Sequence, residues 1–206
     1  MNIISLLSLF LGYMIGSLSP SYFLGKLIKS IDIREHGDGN AGGSNVYHVV
    51  GLKAAVIVVI FDLSKGLISM YIASRLGVGD LFVHIAGLAA VAGHVFPFYL
   101  SFRGGKGIGT SLGILFYYFY TMIRNTWLTL YLLLFLIFIL FVVHFVTRKK
   151  EILGLIALPS LLVIVLISSP FNLITVFSGI YIIYIFVVNI VLNILSLWKR
   201  NAAELS

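Results

Sequence analysis

The chain has 206 residues, of which 60% are hydrophobic and only 10% charged, with a mean hydropathy of +1.10; an ordinary globular domain carries about 25% charged residues, and a water-soluble fold cannot hide this much apolar surface, so a bilayer must cover part of it. Cysteine is absent, which excludes disulfides, thiolate nucleophiles and Cys-ligated metals. The net charge of +7, from 14 Lys+Arg against 7 Asp+Glu, suits anionic lipid headgroups or a phosphorylated substrate, and without a basic helix or stripe it does not point to nucleic acid.

A helical span needs about 20 apolar residues. The first candidate runs from Ile3 to about Leu27 and contains Gly12, Gly16, Ser17 and Pro20, all tolerated in membrane helices packed on neighbours. No basic residue precedes it and no small-residue cleavage site follows it, so a span is expected rather than a cleaved leader. Further spans are expected from Leu52 to Ala73, Leu81 to Leu100, Gly109 to Ile123, Thr126 to Val146, Ile152 to Ser168 and Phe171 to about Trp198. The fourth is short, which suggests a start inside the preceding glycine loop. The pattern predicts an all-α integral membrane protein, a compact bundle of about seven transmembrane helices forming one membrane-embedded domain over residues 1–206.

Basic residues set the orientation. With the N-terminus outside, Lys26, Lys29, Arg34, Lys53, Arg103, Lys106, Arg148, Lys149, Lys150, Lys199 and Arg200 fall inside, whereas only Arg75 and Arg124 fall outside. That bias puts the loop from Lys29 to Gly51, the loop from Ser101 to Ile108 and the C-terminus on the cytoplasmic side.

The polar residues concentrate in those two loops. The first carries Gly37, Gly39, Gly42, Gly43 and Gly51 with Asn40 and Asn45 between them. Glycine backbones approach ligands closely, and successive exposed N–H groups form anion-binding nests. The second reads F-R-G-G-K-G-I-G-T and opens the fourth span, with Gly104, Gly105, Gly107 and Gly109 around Lys106 and with Thr110 at the first turn. Orphan N–H groups at a helix start plus one lysine make a phosphate cradle, although the Walker A spacing is absent. Within the spans, Asp62 and Lys65 stand at i, i+3, a spacing that allows either mutual pairing or a catalytic role. His94, near a helix end before Pro97, suits a hydrogen-bonded structural group or a functional one. Ser17, Ser19 and Ser21 line a polar stretch that fits either helix packing or binding. His84 and His144 read as structural.

In this order the pieces resemble a known family, the bacterial acyl-phosphate-dependent glycerol-3-phosphate acyltransferases (PlsY family), over nearly the whole chain. The family's early G-S and G-K are Gly16, Ser17, Gly25 and Lys26; its D-I-R-x-x-G-S-G-N-x-G-A-T-N-x-x-R is similar to Asp32 through His48; its D-x-x-K-G is similar to Asp62, Lys65 and Gly66; and its G-H-x-F-P…F-[KR]-G-G-K-G-x-[AG]-T is similar to Gly93 through Thr110. The chain resembles a divergent member. Asp38, Gly43, Ser44 and His48 replace the motif Ser, Ala, Thr and Arg; near the C-terminus Asn193 and Ile194 survive while Ile190 and Ser196 replace a His and an Arg.

The resemblance implies a seven-helix bundle in the bacterial cytoplasmic membrane with its site facing the cytoplasm. It implies transfer of a fatty acyl group from acyl phosphate to the 1-hydroxyl of glycerol 3-phosphate, giving lysophosphatidic acid, with membrane lipid as the surroundings. Because acyl phosphate is already activated, neither metal nor cofactor is implied, and positioning with electrostatic stabilisation suffices. Carried onto this sequence, the expected catalytic residues are Asp38, His48 and Asn193. Substrate and phosphate binding falls to Ser17, Lys26, Gly39, Asn40, Gly42, Ser44, Asn45, Lys65, His94, Gly104, Gly105, Lys106, Gly107 and Thr110. Asp38 is expected to orient a substrate hydroxyl, since an unpaired carboxylate would repel phosphate, and His48 to act as a weak, pH-dependent phosphate ligand. The alternative is a non-catalytic or altered-acceptor paralogue of the same fold.

Overall fold

A computed structural model describes residues 2–147, 150–168 and 172–204. Among them the regular structure is entirely helical: α1 (Ile3–Ser17), α2 (Pro20–Lys29), a 3₁₀ turn (Ile33–Glu35), α3 (Gly43–Val49), α4 (Leu52–Arg75), α5 (Asp80–Val95), a second 3₁₀ turn (Phe98–Leu100), α6 (Ile108–Asn125), α7 (Trp127–Thr147), α8 (Lys150–Ser168) and α9 (Leu173–Glu204). Among the described residues four stretches are long and apolar enough to cross a membrane: Ile3–Lys29, Leu52–Arg75, Asp80–Leu100 and Leu173–Leu192. Shorter apolar helices cover Trp127–Phe141 and Ile156–Ser168. Large apolar side chains such as Phe10, Ile60, Phe116 and Phe138 stand exposed, a surface that suits hydrocarbon and not water.

Two sequence expectations are corrected. The run from Ile3 to Leu27 is two helices, because the backbone leaves the helical region at Leu18 (ψ 118°) and restarts at Pro20. Proline at the first helical position lacks only an N–H that would be orphaned anyway, and Ser19 caps the new helix through the Tyr22 N–H. The loop from Lys29 to Gly51 is not irregular throughout. It contains α3, whose Val46 is fully buried with Ile33, Ala41, Ala54, Ala55 and Val58. That small core ties the loop to the start of α4. The helix expected as the fourth span, α6, begins at the end of the glycine loop, at Ile108.

The chain forms two compact units, Met1–Tyr117 and Tyr118–Ser206. In the first, α1 lies tightly on α5. A Cβ on Gly12 or Gly16 would collide with the carbonyls of Ala86 or Ala90, and one on Gly93 with the Tyr13 carbonyl. Small residues let the two backbones touch, which is how membrane helices gain contact energy without a hydrophobic effect. Gly66 and Gly113 do the same between α4 and α6, against Ile114 and the Leu63 carbonyl. In the second unit α8 packs against both α7 and α9, and the buried rings of Tyr118 and Tyr181 lie 6.1 Å apart.

Candidate active site

The glycine-rich loop after α2 is held from within by Asn45, on the first turns of α3. Its Nδ2 donates to the carbonyls of Ile33 (3.0 Å), His36 (2.9 Å) and Asn40 (3.1 Å), and its Oδ1 accepts from the Asp38 N–H (3.1 Å). One buried amide thus ties together four backbone groups of the loop, the three carbonyls also accepting the N–H groups of His36, Gly39 and Gly42. Gly37 and Gly39 take positive φ (64° and 74°), and the Asn45 Oδ1 fills the space a Cβ on Gly37 would need. The turn is tightened by Asp38, whose Oδ1 accepts from the Asn40 N–H at 3.0 Å.

The second loop folds back on the end of α5. Phe96, preceding proline, leaves the helix. Ser101 and Phe102 then take left-handed φ (55° and 57°), a conformation costing about 1–2 kcal/mol per non-glycine residue. The reversal lets the N–H groups of Gly104 and Gly105 donate to the carbonyls of Val95 and His94, each at 3.0 Å. These two amides are therefore spent inside the protein, which corrects the expectation that they are open donors to a phosphate. The orphan donors lie further on: among the described residues no carbonyl accepts from the N–H groups of Gly107, Ile108 or Gly109, where α6 begins.

Arg34 joins the two loops. Its Nε and Nη2 donate to the two oxygens of Asp32 (3.0 and 2.7 Å), while Nη1 donates to the carbonyls of Leu100 (2.6 Å) and Arg103 (3.3 Å). The guanidinium also lies 5.4 Å from the Tyr22 ring centroid. It holds the Asp32 carboxyl below the usual carboxylate range, and Asp32 raises the Arg34 pKa in turn. The sequence marks Arg34 as an inside charge and as part of the D-I-R match, without a role at the site; its i, i+2 spacing from Asp32 is the signal for a two-point pair.

Across the joined loops the Asp38 Oδ2 lies 3.7 Å from the Lys106 Nζ, with the side chains 50% and 35% exposed. A carboxylate and an ammonium thus share one accessible place. Gly39, Asn40, Gly42 and the exposed Ser44 belong to the same loop. His48 is not brought in: it is exposed on the last turn of α3, edge-on to Tyr47, with no hydrogen bond or ion pair among the described residues. Lys26 is exposed, 6.0 Å from the Tyr22 ring centroid. The side chain of Asn193 lies outside the described residues.

Four other expected binders are buried. Ser17 Oγ donates to the Tyr13 carbonyl at 2.8 Å, and Thr110 is enclosed, its hydroxyl without a hydrogen-bond partner among the described residues. Lys65, only 1% exposed, pairs with Asp62 at 2.9 Å, as its spacing allows, and donates to the carbonyls of Gly16 and Leu18 at 3.1 and 3.0 Å. The His94 Nδ1 lies 3.4 Å from the same Asp62 oxygen. The helix break after α1 is closed by Tyr99, whose hydroxyl donates to the Ser17 carbonyl (2.9 Å) and accepts from the Ser19 N–H (3.0 Å).

Comparison with known proteins places this arrangement. The chain is 47% identical over 111 residues to a glycerol-3-phosphate acyltransferase of Alkaliphilus metalliredigens, covering 54% of this chain and 56% of that protein. It is 42% identical over 130 residues to one of Bacillus subtilis, covering 61% and 67%. The alignment thus spans a little over half the length of most of these curated relatives. Over 95% of the chain and 92% of the other, it superposes with a TM-score of 0.68 and 26% identity on a crystal structure of PlsY (YgiH), an integral membrane glycerol 3-phosphate acyltransferase, in its glycerol 3-phosphate form. The lysophosphatidic acid form of that protein matches with a TM-score of 0.67. The fold is that of an all-α, multi-pass membrane protein. The family model for glycerol-3-phosphate acyltransferase matches residues 6–203, and the chain belongs to that family.

Proposed function

We propose that the chain transfers a fatty acyl group from acyl phosphate to the 1-hydroxyl of glycerol 3-phosphate, releasing inorganic phosphate and lysophosphatidic acid into phospholipid synthesis. The hydroxyl oxygen attacks the acyl carbonyl, the new ester C–O bond forms, and the bond from the carbonyl carbon to the phosphate oxygen breaks with its electrons leaving on phosphate. The observation that carries the reading is the approach of Asp38 to Lys106 at 3.7 Å on the joined glycine loops. The ammonium suits a phosphate, and the carboxylate suits the hydroxyl, whose proton it accepts as the ester forms. The orphan N–H groups at the start of α6 supply further anion donors. The solved relative in glycerol 3-phosphate and lysophosphatidic acid forms supports the same substrate and product here.

The proposal includes one membrane-embedded domain of seven spans with the N-terminus outside and both glycine loops cytoplasmic, supported by the distribution of Lys and Arg. Cysteines placed at the exposed Ser44 and Ser101 should react with an impermeant maleimide only from the inside; labelling from outside sealed cells refutes the orientation. The function is tested by incorporation of radiolabelled glycerol 3-phosphate by purified protein, with acyl phosphate and acyl-CoA as separate donors. Product with acyl phosphate alone is expected. No product with either donor leaves the non-catalytic paralogue in its place.

A further inference from the structure

Asp62, Lys65 and His94 form a buried ionic cluster that the proposed chemistry does not use. Asp62 is 7% exposed, Lys65 1% and His94 6%. The Asp62 carboxylate is met from one side by the Lys65 Nζ at 2.9 Å and from another by the His94 Nδ1 at 3.4 Å. Gly109, in the first turn of α6, leaves room for Asp62, since a Cβ there would stand 3.1 Å from the Asp62 Cβ.

The cluster touches the Lys106 loop directly. The far edge of the His94 ring, Nε2, occupies the place a side chain on Gly105 would need, so imidazole and loop backbone are in contact. The carbonyls of His94 and Val95 bind the amides of Gly105 and Gly104. The ring's orientation is set from behind by Asp62, as a carboxylate on one imidazole nitrogen fixes both tautomer and ring plane. Asp62 is in turn fixed by Lys65, whose remaining donors go to the Gly16 and Leu18 carbonyls. The links to Asp62 are close, buried ionic contacts, and the lysine's links to the carbonyls are hydrogen bonds, so displacement of a member is felt at the base of the loop.

We propose that Asp62, Lys65 and His94 are positioning residues that set the Gly104–Gly107 loop, and with it Lys106, at its working place opposite Asp38. The chemical consequence rests on the acyltransferase reading; the geometric one does not. None of the three is assigned contact with the reacting atoms. The contrast with a structural ion pair is that loss of the cluster should loosen one loop while the helices around it stay folded.

The test uses the full chain in detergent micelles. Amide hydrogen exchange of the segment 103–108 is followed in the wild type and in His94→Leu, His94→Asn and Asp62→Asn, with the segments within α4 and α5 as internal controls. His94→Leu keeps volume but cannot face the carboxylate; asparagine carries an amide near the position of Nδ1. Expected are at least about tenfold faster exchange at Gly104 and Gly105 in His94→Leu and Asp62→Asn, unchanged exchange within α4 and α5, and partial recovery in His94→Asn. The acyl-transfer assay should show kcat/KM lowered by about 100-fold in His94→Leu, the scale on which a misplacement of about 1 Å acts, and less lowered in His94→Asn. Loop exchange equal to wild type overturns the proposal. So does acceleration shared by loop, α4 and α5, or a His94→Asn variant as impaired as His94→Leu. If the wild type transfers no acyl group, the acyltransferase reading fails, and the exchange comparison still decides the positioning role.

Discussion

Arg34 and Leu100 are 66 residues apart in sequence, yet the Arg34 Nη1 donates to the Leu100 carbonyl at 2.6 Å while the rest of the guanidinium grips Asp32. This single side chain fastens the Asp38 loop to the Lys106 loop. Arg34→Lys keeps the charge but cannot make the fork, because an ammonium lacks the planar, spaced donors. It should lose about 1.5–3 kcal/mol per charged hydrogen bond removed, read as a lower Tm in detergent, and should lower acyl transfer by more than a surface Lys29→Ala control.

The same pair makes stability depend on acid. The Arg34 guanidinium holds the Asp32 carboxyl below its usual range. A group with a depressed folded pKa contributes its full stability above the unfolded value, about 3.9 for Asp, and loses it as the pH falls through the lower folded value. Wild type should therefore melt above Asp32→Asn at about pH 7, with the gap closing as the pH is lowered below about 4. A gap that persists undiminished at the acid end contradicts the ion pair as its cause.

Asn45 is predicted to be intolerant even of its closest relative. The Nδ2 group serves three carbonyls and Oδ1 one N–H. Asn45→Asp keeps the shape and the acceptor but deletes the donor, setting a carboxylate against carbonyl oxygens. Each buried group left unpaired costs about 1–3 kcal/mol. Thermal melts should show Asn45→Asp falling at least as far as Asn45→Ala.

Two glycines of α1 and the α4–α5 turn should behave in opposite ways. Gly16→Ala drives a methyl into the Ala90 backbone, whereas Gly79, at φ −60° and with nothing within 4 Å, has room. Gly16→Ala should cost about 1–3 kcal/mol, as overpacking does. Gly79→Ala should be neutral or slightly stabilising, since alanine restricts the unfolded chain. Size-exclusion profiles after graded heating distinguish them.

Lys106→Ala should weaken capture of the phosphorylated substrates by about ten- to a hundredfold if one charge-assisted hydrogen bond is lost, appearing in KM with the fold intact. Asp38→Asn should act on kcat instead, since an amide can still accept the Asn40 N–H but cannot take the hydroxyl proton. A rise in KM alone for Asp38→Asn would assign the carboxylate to holding Lys106.

Composition was enough to demand a bilayer, and the continuous apolar runs located α4 to α9, because hydrocarbon forces each segment to satisfy its own backbone. The glycine and asparagine content of the loops, read beside Lys106, is the sequence signal on which the proposed anion site rests, because close backbone approach needs residues without side chains. The rest depended on contacts distant in sequence. Ser19-Pro20 is a helix-start signal that a packed membrane helix also tolerates, so the run alone does not decide for a break at Leu18; the break is held by Lys65 and Tyr99 from elsewhere in the chain. Nothing in the G-G-K-G run shows that the amides of Gly104 and Gly105 are already taken, because their acceptors are the carbonyls at the end of α5. Asp62 and Lys65 announced a pair by spacing, but only packing added His94. Asp38 is one of three acids in its loop, and only tertiary folding sets it opposite Lys106. A sequence records which groups are present and their local period; which of them are left open to a ligand depends on what the rest of the chain has already used.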